Sequence, residues 1–252
     1  MRRIMKMTAL SAASVLCMLC GCEQKKVVLD NEQFLNFTAP KEGEEIAVFH
    51  IKDYGDVKIR LFEEQCPKGV ENFKELIRSG YYDELIFHRV VKNTVIQSGD
   101  PKGDSTGGED FWKDGGFEQT INPGLRNLTG AVGYAVGSDK LNGSQFYIVT
   151  GEAVNEETFE LLSEYGRLYS GKTEEMYYQY GGQPYFDGGY EVFGQVFDGM
   201  DICLEIQNVD VVREKPKKSV VIEKAEIVPY DGSGVHWLNA AGEEQKTETE
   251  TE

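Results

Sequence analysis

The chain reads as a mainly β domain, of barrel or sandwich type, interrupted once by a helical insertion. Three observations lead there. Short runs of alternating or continuous apolar residues recur between Gly-rich loops, the spacing of an all-β domain. One amphipathic helical pattern follows the first hairpin, and a second helical stretch, charged on many positions, falls late in the chain. No repeat of about 20–50 residues is present, and no linker-like stretch breaks the body, so one domain over 44–230 is preferred to two.

Taken in order, Ile46, Val48 and His50 alternate with polar neighbours, Asp53-Tyr54-Gly55-Asp56 supplies a turn, and Val57, Ile59 and Leu61 alternate again. That is a hairpin signature. Pro67 then opens a helix whose Val70, Phe73 and Ile77 share a face, with Gly80 placed to end it. Further β-type runs lie at 85–91, 131–136, 145–150, 190–197 and 220–228, with another short helix near 199–207. Between the 145–150 and 190–197 runs, Phe159, Leu162, Tyr165 and Tyr169 recur at helical spacing. They predict a helical insertion near 155–180, within an inserted segment at 152–183. The Tyr-rich stretch 176–180 is expected to pack that insertion against the body.

The two ends differ from the body. Arg2, Arg3 and Lys6 precede a short apolar run to Leu19, followed by Cys20-Gly21-Cys22. A basic flank and a brief apolar core make a secretory signal, too short for a comfortable membrane span. This segment resembles a bacterial lipoprotein signal, which implies removal of residues 1–21 and acylation of Cys22. The expectation is an extracytoplasmic lipoprotein, held at a membrane by its N-terminal lipid through a tether at 22–43. Residues 231–252 end in a repeated Thr-Glu stretch and read as an acidic, flexible tail.

Composition narrows the function further. With 26 Lys plus Arg against 43 Asp plus Glu, the net charge is −17, and such a chain repels phosphate backbones, so nucleic acid is not an expected partner. With Cys17 and Cys20 in the signal and Cys22 taking lipid, Cys66 and Cys203 are left; far apart and in no metal-binding spacing, they read as core thiols without a structural disulfide. Gly103-Asp104-Ser105-Thr106-Gly107-Gly108 has the small residues of a phosphate loop, but Glu109 stands where lysine would be needed. The nearby acids Asp100, Asp104, Glu109, Asp110 and Asp114 fit no calcium-loop spacing. No metal and no cofactor are expected.

The blocks that carry chemistry are Phe87-His88-Arg89-Val90-Val91, Gln97-Ser98-Gly99-Asp100, Asn142-Gly143-Ser144-Gln145-Phe146-Tyr147-Ile148 and Val192-Phe193-Gly194, with Pro67-Lys68-Gly69-Val70-Glu71-Asn72-Phe73 upstream. In this order and spacing they resemble the cyclophilin family of peptidyl-prolyl isomerases, over almost the whole body. The resemblance implies a closed eight-stranded antiparallel barrel capped by two helices. It also implies rotation about Xaa-Pro bonds as the activity, on proline-containing segments of exported or surface polypeptides.

By the same resemblance Arg89 is the catalytic group, with Gln97 holding it in place. Thr94, Val95, Tyr147 and Phe186 would build the apolar cup for the proline ring. The substrate backbone would lie along Ala135 and Val136, with Gln145 offering its amide. Tyr185 and Tyr190 occupy further pocket positions. His88, with no Ser or Cys nucleophile motif beside it, is expected at the pocket rim and not in acid/base chemistry.

Departures accompany the matches. Thr94 stands where an aromatic wall is usual, Val136 where Asn is, and Tyr185 and Tyr190 where Trp and His are common. A missing aromatic wall costs roughly 1–3 kcal/mol of apolar contact, so weaker substrate binding and reduced activity are expected, and Tyr185 in place of Trp implies weak binding of cyclosporin-type macrocycles. Two rival readings are a proline-peptide-binding chaperone module with little isomerase activity and a purely structural surface lipoprotein. A monomer is expected.

Overall fold

The structure, a computed structural model, describes residues 27–28 and 34–245. The expected signal at 1–21, the expected lipidation site Cys22 and residues 246–252 lie outside the described residues.

Eight strands form one antiparallel sheet: β1 (Glu45–Ile51), β2 (Gly55–Leu61), β3 (Arg89–Val91), β4 (Val95–Ser98), β5 (Ala131–Tyr134), β6 (Phe146–Val149), β7 (Val192–Asp198) and β8 (Ile222–Pro229). Their order is β8-β1-β2-β7-β5-β6-β4-β3. The sheet curls into a half-barrel, and the expected closure is corrected. No continuous ladder joins β8 to β3; the seam is crossed by an isolated bridge, Ile86 to Val221, with Phe87 N–H donating to Val220 O at 2.9 Å. β3 is three residues long and begins at Arg89, past the residues 84–87 that meet 220–222 at the seam.

Helix α1 (Pro67–Arg78) starts with proline at its first turn, where no backbone donor is lost. It buries Val70, Phe73, Leu76 and Ile77. It ends as the sequence predicts: Gly80 takes φ +73, its N–H reaches Ile77 O at 2.9 Å, and Tyr81 N–H reaches Leu76 O at 3.0 Å, a Schellman cap. Phe73 packs between Phe193 and Phe146, with ring centroids 4.8 and 5.5 Å away. Burying such a ring contributes about 1.5–3 kcal/mol. The short helix expected near 199–207 is Met200–Ile206, burying Cys203. Cys66 and Cys203 are free, buried thiols.

The insertion holds two helices where one helical stretch was expected, so the described residues form four α-helices in place of three. Helix α2 (Glu156–Glu164) is capped by Asn155, and α3 (Gly171–Tyr180) by Ser170, each cap accepting a backbone N–H with its side chain. Gly166 at φ +76 breaks the run between them, and Arg167–Leu168 pairs in parallel with Val27–Val28. Phe159 and Leu162 are buried and pack with Tyr177, Tyr180, Leu128 and Val154, whereas Tyr165 is exposed.

The folded unit extends past both expected limits. Asn36, assigned to the tether, is fully buried, donating to Gln195 Oε1 and Arg126 O at 2.9 Å. Trp237, assigned to the tail, is buried against Ile46, Val48, Phe197 and Tyr230. Residues 231–245 thus lie on the barrel, tied by His236 N–H to Phe197 O at 2.7 Å.

Candidate active site

Strand register sorts the side chains of β3, β4, β6 and β5 into two rows. Val90, Ile96, Ile148 and Val132 stand opposite one another and are buried in the core. One residue along, Arg89, Gln97, Tyr147 and Gly133 form the second row, which faces the other way by the two-residue strand period. Gly133 is required there: a Cβ would collide with the Tyr147 phenol ring. The site is built on this outer row.

Along it runs a directed hydrogen-bond relay. Arg89 Nη1 donates to Gln97 Oε1 at 3.2 Å, Gln97 Nε2 donates to Gln145 Oε1 at 2.8 Å, and Gln145 Nε2 donates to Gly107 O at 2.6 Å. Each amide has its oxygen turned toward the arginine side, so Gln97, which is nearly buried, can only accept from the guanidinium. On its other edge Arg89 Nε donates to Glu214 Oε2 at 2.7 Å.

Arg89 and Gln97 line an open cleft of about 540 Å³ together with Ala135, Val136, Gln145 and the loop 105–110. Five of the predicted site residues therefore meet in one cleft. Gln145 lines it with one amide N–H already given to Gly107 O. Asp110, buried on the cleft wall, accepts the Gly116 and Asp114 N–H groups; burial opposes its ionisation, but these backbone donors outweigh it and hold its pKa below the usual value. It is a loop-stabilising carboxylate.

Beside the cleft, Tyr147, Phe186 and Tyr190 form an aromatic triangle with centroids 5.1–6.0 Å apart. Val95, opposite Val149 in the register, lies on the same face diagonal to Tyr147. Thr94 is half-buried in the β3–β4 turn, its carbonyl accepting the Thr150 and Gly151 N–H groups at 3.1 and 3.2 Å.

A buried polar network fixes the triangle from behind. Tyr147 donates its hydroxyl to Asn127 Oδ1 at 2.7 Å; Asn127 donates its backbone and side-chain N–H groups to Asp187 Oδ1 at 2.8 and 3.0 Å. Tyr177, from the insertion, donates to Asp187 Oδ2 at 2.7 Å, and Arg126 lies 3.8 Å from the same oxygen. Burial pushes the Asp187 pKa up, against the charge of Arg126 and these donors. Tyr147 and Tyr177 are likewise held as neutral phenols by burial.

Two expectations are corrected. His88 is not at a rim: it is 3 % exposed, does not line the cleft, and neither ring nitrogen has a hydrogen-bond partner among the described residues. Preceding Arg89, it points away from the outer row, and burial drives its pKa down. Tyr185 packs with the insertion's own cluster, not with the triangle, because Arg167 and Tyr169 fasten its segment at the Tyr185 and Pro184 carbonyls, at 2.8 and 2.7 Å.

The sequence reading missed Glu214, Asn127, Asp187, Tyr177 and Arg126. Glu214 lies 125 residues from Arg89, and no local pattern links them. Asp187, by contrast, adjoins the already singled-out Phe186, an acid embedded among aromatic residues. Among the described residues no group of three or more His, Cys, Asp or Glu side chains could hold a metal ion.

The profile of the family described as cyclophilin type peptidyl-prolyl cis-trans isomerase/CLD matches residues 46–227. A Staphylococcus aureus (strain USA300) protein bearing a peptidyl-prolyl cis-trans isomerase name is 36% identical over 188 residues, covering 74% of this chain and 93% of its own length. A Staphylococcus epidermidis protein of the same name is 35% identical over 187 residues, with the same coverage. Among solved structures, the chain is similar to a Cryptosporidium parvum cyclophilin type peptidyl-prolyl cis-trans isomerase crystallised in the presence of the dipeptide Ala-Pro. The TM-score is 0.58 at 30% identity, over 73% of this chain and 99% of the other.

Proposed function

Because the chain belongs to the cyclophilin-type peptidyl-prolyl cis-trans isomerase family, we propose that its cleft accelerates rotation about Xaa-Pro bonds with Arg89 as the catalytic group. The observation that carries this is the relay Arg89–Gln97–Gln145, which holds a guanidinium in the lining of a cleft.

The uncatalysed barrier is about 18–20 kcal/mol, because rotation breaks amide resonance. The twisted amide has a pyramidal nitrogen with a lone pair that neither planar form offers. A donor that binds the twisted form better than either ground state lowers the barrier. Arg89 is always charged, and its orientation is settled before substrate arrives, so little reorganisation accompanies the reaction. The proline ring would rest on Val95, Tyr147, Phe186 and Tyr190, with Thr94 at the edge of this cup, while the backbone follows Ala135 and Val136. No covalent bond breaks, and the step needs neither a metal nor a cofactor.

The clients in this reading are proline-containing segments of exported or surface polypeptides, and the enzyme is a monomer tethered outside the cytoplasm through lipid on Cys22. The basic flank, short apolar run and cysteine at the chain's start support that placement. Uncatalysed exchange takes tens to hundreds of seconds, slow enough to limit the folding of such chains. A second reading, a proline-peptide-binding chaperone module, is favoured by the polar Thr94 at the cup and by Val136 on the binding strand.

Cis/trans exchange in an Ala-Pro-Phe peptide, followed by NMR with the purified chain and its Arg89→Ala variant, decides between them. Acceleration that collapses in the variant supports the isomerase. Peptide binding with exchange at the uncatalysed rate leaves the chaperone reading. Placement is tested separately, by radiolabelled fatty-acid incorporation that Cys22→Ala abolishes.

A further inference from the structure

Glu214 is held against Arg89 by more than a chance surface encounter. It sits at the tip of a small hairpin, where Val211–Val212 pairs with Lys215–Pro216. Arg213 and Glu214 both adopt left-handed backbone, at φ 50 and 66, a conformation side-chain-bearing residues rarely take. The turn is stitched on both sides. Glu214 O accepts the Val90 N–H at 2.7 Å, and Lys215 Nζ donates to Gly103 O at 2.9 Å. The carboxylate is thereby delivered to Arg89 Nε at 2.7 Å.

That pair does little for stability. The Arg89 and Glu214 side chains are 37% and 51% exposed, and solvent-exposed ion pairs contribute little to folding. What the pair does change is the freedom of the guanidinium. Gln97 engages Nη1 and Glu214 engages Nε, while Nη2 has no protein partner among the described residues. Two of the three nitrogens are thus occupied by the protein, and the third is left to donate.

We infer that Glu214 is a positioning residue: it clamps the Nε edge of Arg89 so that the Nη2 edge is presented to the rotating prolyl amide. The inference rests on the reading of Arg89 as the catalytic group. It assigns to the Val211–Pro216 hairpin a part in the site, through the guanidinium and not by contact with substrate.

The test compares kcat and KM for a proline peptide in the wild-type chain, Glu214→Ala, Glu214→Gln and Arg89→Ala, together with the 15Nε–1H resonance of Arg89. Alanine keeps the Cβ that glutamate already carries at the left-handed position, and the amide resonances of the core report whether the variant is folded. Glu214→Ala is expected to lower kcat about fivefold with KM changed less than about twofold, since a slightly misplaced group loses rate more than binding. Glu214→Gln, which can still accept from Nε, is expected to stay within about twofold of wild type. The Nε–H signal should be protected from exchange in wild type and Glu214→Gln and lost in Glu214→Ala. An unchanged kcat in Glu214→Ala overturns the inference, as does a loss confined to KM or a glutamine variant as impaired as the alanine one. No acceleration by the wild-type chain, or equal rates for it and Arg89→Ala, would instead remove the reading of Arg89 on which the inference stands.

Discussion

Tyr177 on the inserted helix α3 donates its hydroxyl to Asp187 at 2.7 Å, so the insertion and the aromatic wall of the candidate site share one buried carboxylate. Asp187 follows Phe186 directly, and through Asn127 it also reaches the Tyr147 hydroxyl. Tyr177→Phe keeps the ring and removes the donor from a fully buried acceptor. The expected loss is about 1–3 kcal/mol of stability, read from denaturant midpoints, with a fall in peptide exchange rate. Unchanged values for both would show that the insertion is only laid against the barrel.

Thr94 occupies the half-buried turn of the β3–β4 hairpin, on the side of the site where an aromatic wall is absent. Thr94→Phe adds apolar surface where the proline ring would sit. About 1–2 kcal/mol of added contact corresponds to a KM lower by roughly tenfold. A KM that stays the same or rises would mean that Thr94 lies outside the cup.

His88 supplies a pH prediction. Burial is the main reason its pKa is below the usual imidazole value of 6.5; Asp100 opposes the shift, and Arg89 and Lys215 reinforce it. The folded chain therefore fails to bind a proton that the unfolded chain takes up near pH 6.5. Stability from the neutral ring is fully present above that pH and falls as pH drops through the interval down to the folded-state pKa. In His88→Leu this dependence is absent, and the unpaired ring nitrogens are replaced by apolar atoms. The variant should be the more stable one below pH 6.5, by a margin that widens as the solution is acidified. Urea titrations at several pH values check this; a margin independent of pH would mean that the ring protonates freely in the folded state.

The C-terminal segment is testable in the same way. Trp237 is 3 % exposed and meets the Phe37 ring edge-on at 5.4 Å, and Phe37 stacks on Tyr180 at 3.7 Å. Trp237→Ala should cost about 3–5 kcal/mol, and limited proteolysis should then cut near 231–245. A midpoint within experimental error of wild type would return this segment to the status of a tail.

Much of the fold could be read locally because local chemistry decides it. Pro67, Gly80 and the Val70–Phe73–Ile77 face specify α1 with no help from the rest of the chain, and the alternation at Val57, Ile59 and Leu61 specifies β2. Where long-range packing decides, the reading failed. Phe159 and Leu162 announced a helix, yet Gly166 divided the insertion, and nothing near Trp237 in sequence names its partners Ile46 and Val48. At the site, Arg89, Gln97 and Gln145 were legible through their motifs and Ala135 and Val136 through the family resemblance, and the five meet in one cleft. His88 and Tyr185 were misplaced because strand direction and the packing of the insertion orient them. Glu214 was invisible because its importance lies wholly in a contact across 125 residues.

The single bridge between Ile86 and Val221 has a mechanical meaning. Three backbone hydrogen bonds flank it, from Glu84 N–H to Ile222 O, Ile222 N–H to Leu85 O and Phe87 N–H to Val220 O, at 2.8–2.9 Å, so the two edges of the half-barrel are held together at one short seam. Arg89 begins the strand three residues from that bridge, and Glu214 belongs to the hairpin just before its other side. The stretch of chain that fastens the edges of the half-barrel to each other is therefore also the stretch that brings the Arg89 guanidinium and the Glu214 carboxylate together.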